Sequence, residues 1–158
     1  MMAAPVKLAV GDRAPSFDLP TSGGGRLSLA DLAGAPAVLW FYPAANTSLC
    51  TRQAVDLRDH HQMFTDAGYR VVGISPDPVA ELDRFVAEQQ LPYTLAGDES
   101  HEVMSAYGAW GEKNMYGKIV EGVIRSTFAI DADGVLTFVK YRVGTPKHIA
   151  LLQEKLGL

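Results

Sequence analysis

The chain has 158 residues, 47% hydrophobic and 20% charged, with a formal net charge of −4. That length fits one domain over 1–158 with a core that needs no staples, and the composition is that of a globular protein. The acidic balance argues against a nucleic-acid binder, and no apolar run nears the roughly 18 residues that span a bilayer.

The first ten residues carry one lysine and no sustained apolar stretch, so they do not read as a secretory signal. Gly23-Gly24-Gly25 separates two short alternating runs, Phe17-Asp18-Leu19 and Arg26 to Leu29, which predicts a β-hairpin. No Lys-Ser or Lys-Thr follows the glycines, which disfavours a phosphate loop. Ala37 to Tyr42 is an apolar strand that stops at Pro43. Ser48 is expected to cap a helix whose inner row is Ala54, Leu57, His61 and Phe64, with Gly68 as its stop. Tyr69 to Ser75 predicts a second strand. Asp77 as cap and Pro78 at the first helical position then open a helix burying Leu82, Phe85 and Val86 and ending before Pro92.

Ser126 to Ile130 and Val135 to Tyr141 read as strands joined by the turn Asp131-Ala132-Asp133-Gly134. These two aspartates suit a turn rather than a calcium loop, because the glycine comes too early. A last helix is expected after Thr145 and Pro146, burying Ile149, Leu152 and Leu156. A βαβα unit followed by ββα is the order of an α/β thioredoxin fold. The expectation is a central mixed sheet with helices on both faces and an N-terminal β-hairpin extension.

The chain has one cysteine, Cys50, so it holds no internal disulfide; this suits a reducing, cytoplasmic setting. Pro43, Thr47 and Cys50 form P-x-x-x-T-x-x-C at a strand-to-helix junction. A thiol in the first turn of a helix meets unpaired backbone N–H groups and the positive end of the dipole, both of which favour the reactive thiolate. The plainer reading is a small buried hydrophobe, the usual fate of a lone cysteine. The histidines supply no metal set: His60 and His61 are neighbours on a helix and point about 100° apart. His101 and His148 read as polar residues near helix starts, and Trp110 and Tyr116 as core or rim.

The chain resembles the peroxiredoxins of the bacterioferritin comigratory protein (peroxiredoxin Q) group over nearly its whole length. The matching segments include G-D-x-A-P-x-F-x-L-P (Gly11 to Pro20), F-Y-P-A-A-N-T-S-L-C-T (Phe41 to Thr51), V-V-G-I-S-P-D (Val71 to Asp77), W-G-E-K (Trp110 to Lys113) and R-S-T-F-A-I-D-A-D-G (Arg125 to Gly134). The resemblance implies a thiol peroxidase that reduces hydrogen peroxide and organic hydroperoxides. Cys50 would be the attacking thiolate and pass through a sulfenic acid, with Thr47 holding the peroxide and Pro43 excluding water. Arg125 would lie beside the thiolate, with Gln53 orienting it. An external reductant (thioredoxin, a glutaredoxin-like protein or a small thiol) would restore the enzyme. No cofactor or metal is called for, and a monomer acting without nucleic acid or membrane is expected.

Three departures stand out. Ser48-Leu49 replaces the family's usual Pro-Gly, which removes glycine's backbone freedom near the site. Val55 occupies the place where many relatives carry a resolving cysteine, and no other cysteine exists to substitute for it. Energetics also demand a cation. Bringing a thiol from a pKa of about 8.5 to about 6 takes about 3.4 kcal/mol. A helix N-terminus supplies about 0.3–1 kcal/mol, or up to about 2 in a partly buried geometry, and a charge-assisted hydrogen bond about 1.5–3. The alternative to an enzyme is a thioredoxin-fold redox sensor or holdase-like protein with Cys50 as its switch. It has no use for Thr47 and Arg125 together.

Overall fold

The computed structural model describes residues 7–144 and 147–158. Its centre is a five-stranded sheet in the order β5-β4-β3-β8-β9. The strands are β3 (Ala37–Phe41), β4 (Arg70–Ser75), β5 (Thr94–Gly97), β8 (Ser126–Ile130) and β9 (Leu136–Tyr141). β3 pairs parallel with β4 and antiparallel with β8, so the sheet is mixed and β3 runs through its middle. A strand covered on both faces has no use for alternation, and all five residues of β3 are fully buried.

The two cores follow from the two-residue period of β3. Val38, Trp40 and Tyr42 face a cluster built with Leu57, Phe64, Leu82, Phe85 and Leu152. These come from α1 (Ser48–Asp59), α2 (His61–Asp66), α3 (Val79–Gln89) and α5 (His148–Leu156). Ala37, Leu39 and Phe41 face the other cluster, with Phe17, Leu32, Met104, Tyr107 and Phe128. There the cover is α4 (Glu102–Ala106) and the N-terminal segment. Trp40 and Tyr42 stack at 4.3 Å on the first face, while Phe41 and Phe128 meet edge-on at 5.5 Å on the second. The architecture is the expected one, including the N-terminal hairpin of β1 (Asp18–Pro20) and β2 (Arg26–Ser28).

Local boundaries differ from expectation in three places. The cap of α1 is Thr47, in extended conformation, and Ser48 is already helical. The row predicted as one helix is broken at His60, whose ring donates from Nδ1 to the Asp56 carbonyl at 2.8 Å. Leu57 and Phe64 are buried on either side of that break, so the apolar period survives it. The cap of α3 is Pro78 rather than Asp77, because the Asp77 carboxylate is occupied elsewhere. Thr145 and Pro146, expected to open α5, lie outside the described residues.

A second hairpin, β6 (Trp110–Met115) and β7 (Lys118–Val123), projects beside the sheet. Its two-residue turn is Tyr116-Gly117, both with positive φ, which suits the right-handed twist of the strands it joins.

Candidate active site

The register of the sheet builds the site. Phe41 pairs with Ser126 across β3 and β8, so the residues just past that rung, Tyr42 and Arg125, emerge side by side. From β3 the chain passes through Pro43 to Asn46 and enters α1 at Thr47. Asp77 holds this loop from the β4–α3 connection. One carboxylate oxygen, Oδ2, accepts from the Ala45 amide at 2.7 Å and from the Ser75 hydroxyl at 2.7 Å.

Cys50 is fully buried in the first turn of α1. Arg125 donates from Nη1 to the Cys50 sulfur at 3.3 Å and to Gln53 Oε1 at 3.0 Å. One nitrogen thus ties the thiol to a residue one helical turn further on. A guanidinium nitrogen at that distance donates a charge-assisted hydrogen bond to the sulfur whenever the sulfur carries charge. Thr47 is exposed beside this pair, and its hydroxyl donates to the Ala44 carbonyl at 2.8 Å. With that proton committed, the Thr47 oxygen keeps its lone pairs as acceptors. Pro43 and Arg125 share the wall of an open cavity of about 270 Å³, whose apolar side is Val123, Ile124 and Val143.

The departures from the family pattern have clear structural counterparts. Ser48 and Leu49 take helical conformation, so no glycine is needed there, and Leu49 is left 56% exposed. Val55 is half-buried, five residues along α1 from Cys50. Among the described residues no group of three or more His, Cys, Asp or Glu is placed to hold a metal.

His148 is the first residue of α5, so its place at a helix start is the expected one, but it is a buried residue rather than a polar cap. It is only 1% exposed, and both ring nitrogens are bonded: Nδ1 to Gln53 Nε2 at 3.1 Å and Nε2 to Thr127 Oγ1 at 2.9 Å. Burial, and then the Arg125 charge, push its pKa down to about 4, so the ring is neutral. The signal for its burial was legible: His148, Leu152 and Leu156 lie four residues apart on one helix row. His101 is the N-cap residue of α4, as its place near a helix start suggested, but its side chain makes no capping hydrogen bond and stacks on Trp110 at 3.8 Å.

A sequence profile described as the AhpC/TSA family matches residues 10–139. The chain belongs to the AhpC/TSA family. Among its peroxiredoxin relatives, a putative peroxiredoxin of Mycobacterium tuberculosis is 47% identical over 157 residues, covering 99% of this chain and all of that protein. Peroxiredoxin Bcp of Escherichia coli is 42% identical over 141 residues, covering 89% and 90% of the two chains. In three dimensions, peroxiredoxin Q of Xanthomonas campestris superposes with a TM-score of 0.83 at 33% identity, covering 89% and 90%. A cysteine-to-serine form of Xylella fastidiosa peroxiredoxin Q gives 0.88 at 28% identity, covering 95% and 96%. This peroxiredoxin is therefore a thiol-dependent peroxidase of the Bcp and peroxiredoxin Q kind. Its single cysteine fits a one-cysteine mechanism.

Proposed function

We propose that Cys50 is the peroxidatic residue, with Thr47 and Arg125 as its catalytic partners and Pro43 and Gln53 in support. The observation that carries this reading is the 3.3 Å contact between Arg125 Nη1 and the Cys50 sulfur, held by the Gln53 carbonyl. The Cys50 thiolate attacks the terminal oxygen of the peroxide, and the O–O bond breaks. Sulfur gains oxygen as a sulfenic acid, while the alkoxide or hydroxide leaves and is protonated to alcohol or water. Arg125 stabilises the charge that grows on the leaving oxygen, a role a fixed cation performs better than water. The Thr47 oxygen accepts a hydrogen bond from the peroxide O–H and holds it in line for attack. Pro43 carries no N–H and keeps water from competing at the site.

Val55 cannot resolve the sulfenic acid, so an external thiol does. It attacks sulfur and releases water, leaving a mixed disulfide; a second thiol then frees the Cys50 thiol as the two reductant sulfurs join. Thioredoxin, a glutaredoxin-like protein or a small thiol supplies these electrons. The apolar wall of Val123, Ile124 and Val143 suits organic hydroperoxides as well as hydrogen peroxide. The Xanthomonas relative has been described for its alkyl peroxide reduction activity. We place this chain in the cytoplasm as a one-domain monomer; among the described residues no helix is long and apolar enough to cross a membrane. Consumption of hydrogen peroxide with dithiothreitol tests the assignment. It should vanish in Cys50→Ser, and substantial residual turnover would overturn it.

A further inference from the structure

We propose that His148, as its neutral Nε2–H tautomer, positions Arg125 against Cys50 through the amide of Gln53. The inference rests on the reading of Cys50 as the peroxidatic residue and extends it to the C-terminal helix. It concerns three side chains that are almost wholly enclosed: Gln53 and His148 are each 1% exposed, and Thr127 is 0% exposed.

The direction of every bond in the chain is forced by its charged end. Arginine has donors and no acceptor, so the Gln53 atom facing Nη1 is its carbonyl oxygen. The other amide atom, Nε2, is then a donor and points at His148 Nδ1. That ring nitrogen must accept and so carries no proton. A neutral imidazole places its remaining proton on Nε2, which donates to Thr127 Oγ1. Thr127 lies in β8, two residues after Arg125, so the relay leaves and rejoins the same strand segment.

The amide alone has two orientations of similar shape. In the flipped one, Gln53 would aim its NH₂ at the guanidinium, donor against donor, and Arg125 would lose its anchor. The Nδ1 lone pair of His148 penalises that flip, because the flipped carbonyl would face it acceptor against acceptor. His148 therefore acts as a positioning residue, reaching the thiol through two other side chains. The pairing also explains why glutamine suits position 53 in this chain. A carboxylate there would offer only acceptors and require a proton on Nδ1.

Ring-nitrogen NMR of ¹⁵N-histidine-labelled reduced enzyme near neutral pH tests the tautomer in the intact protein. The expected spectrum has Nδ1 unprotonated and Nε2 protonated for the ring that disappears in His148→Leu. A protonated Nδ1 would overturn the proposal. Stopped-flow oxidation of Cys50 by hydrogen peroxide tests the coupling. Gln53→Leu and His148→Leu should each slow it by about tenfold, the scale of one disturbed charged hydrogen bond. The double variant should be no slower than Gln53→Leu alone. Effects that multiply, or a His148→Leu rate equal to wild type, would sink the relay. Should His148→Leu fail to fold, His148→Asn, which keeps an acceptor toward Gln53, replaces it: it should react near the wild-type rate and lose about tenfold on adding Gln53→Leu, and a tenfold loss in His148→Asn alone would sink the relay. Loss of peroxide oxidation at Cys50 in the wild type would instead fail the underlying assignment, leaving the tautomer result to stand separately.

Discussion

Arg125 reaches across 75 positions of sequence to donate to the Cys50 sulfur at 3.3 Å, with its half-buried guanidinium at the edge of the 270 Å³ cavity. The guanidinium thus meets both the sulfur and the cavity wall. Arg125→Ala should therefore slow the peroxide step by about 10²–10³-fold, the cost of removing one donor from a developing oxyanion. Arg125→Lys should recover only part, since a strongly hydrated ammonium on a flexible stem is held less rigidly than the planar guanidinium. Stopped-flow oxidation at fixed pH measures both. An alanine variant within twofold of wild type would remove Arg125 from the reaction.

Asp77 fastens the loop that carries Pro43 and Thr47, through the Ala45 amide and the Ser75 hydroxyl. Asp77→Ala leaves that amide without its partner, which costs about 1–3 kcal/mol and lowers Tm by several degrees. Peroxidase kcat/KM should fall with it, because Thr47 depends on the loop's shape. Asp77→Asn keeps an acceptor oxygen and should restore most of both. Thermal melts and turnover assays on the pair decide the point; full activity in Asp77→Ala would show that the loop holds itself.

The depressed pKa of His148 makes folding sensitive to acid. In the unfolded chain its imidazole titrates near 6.5, whereas in the folded chain burial and Arg125 hold it at about 4. Between those values the unfolded state binds more protons, so stability rises with pH across this window. The contribution is complete above about pH 6.5 and is lost as pH falls to about 4. Its size is on the order of 3 kcal/mol, from about 1.4 kcal/mol per unit. Urea unfolding of wild type and His148→Leu at both ends of the window isolates the effect. The stability gap between them should narrow by that amount at the acid end, and parallel pH curves would contradict the account.

With Val55 five residues after Cys50 in place of a thiol, a sulfenic acid has no internal trap. While it waits for an external thiol, a second peroxide can carry it to sulfinic acid. Inactivation should worsen with peroxide concentration and be suppressed by excess dithiothreitol. Mass spectrometry after peroxide alone should find Cys50 with two or three added oxygens and little disulfide-linked dimer. A sulfenic acid that persists under excess peroxide would count against the prediction, as would quantitative dimer formation.

The legible parts of this chain are those whose cause is local. A long apolar run such as Ala37 to Tyr42 reads as a strand because every residue in it is buried, and Asp133-Gly134 marks its hairpin by turn chemistry alone. The motif from Pro43 to Cys50 is legible for the same reason, since one junction contains it. Shorter elements were not read: β5 has four residues and α4 five, too few to show a period. The β6–β7 hairpin begins with Trp110-Gly111-Glu112-Lys113, which gives no apolar alternation, and its turn uses Tyr116-Gly117 where Asn-Gly would have announced it. The true cap of α3 was hidden because Asp77 has the chemistry of a cap but spends it on Ala45. His148 was missed because its partners, Gln53 and Thr127, lie 95 and 21 residues away.

The placement of α5 has a consequence for the order in which the enzyme becomes an enzyme. It is the last element in chain order among the described residues, yet His148 on it touches the group that anchors Arg125. Strand β3 and helix α1 leave the ribosome well before β8 and α5, so during synthesis Cys50 has neither its cation nor the support behind it. Until β8 pairs with β3, Cys50 has no Arg125 beside it, and until α5 docks, Gln53 has no His148 behind it.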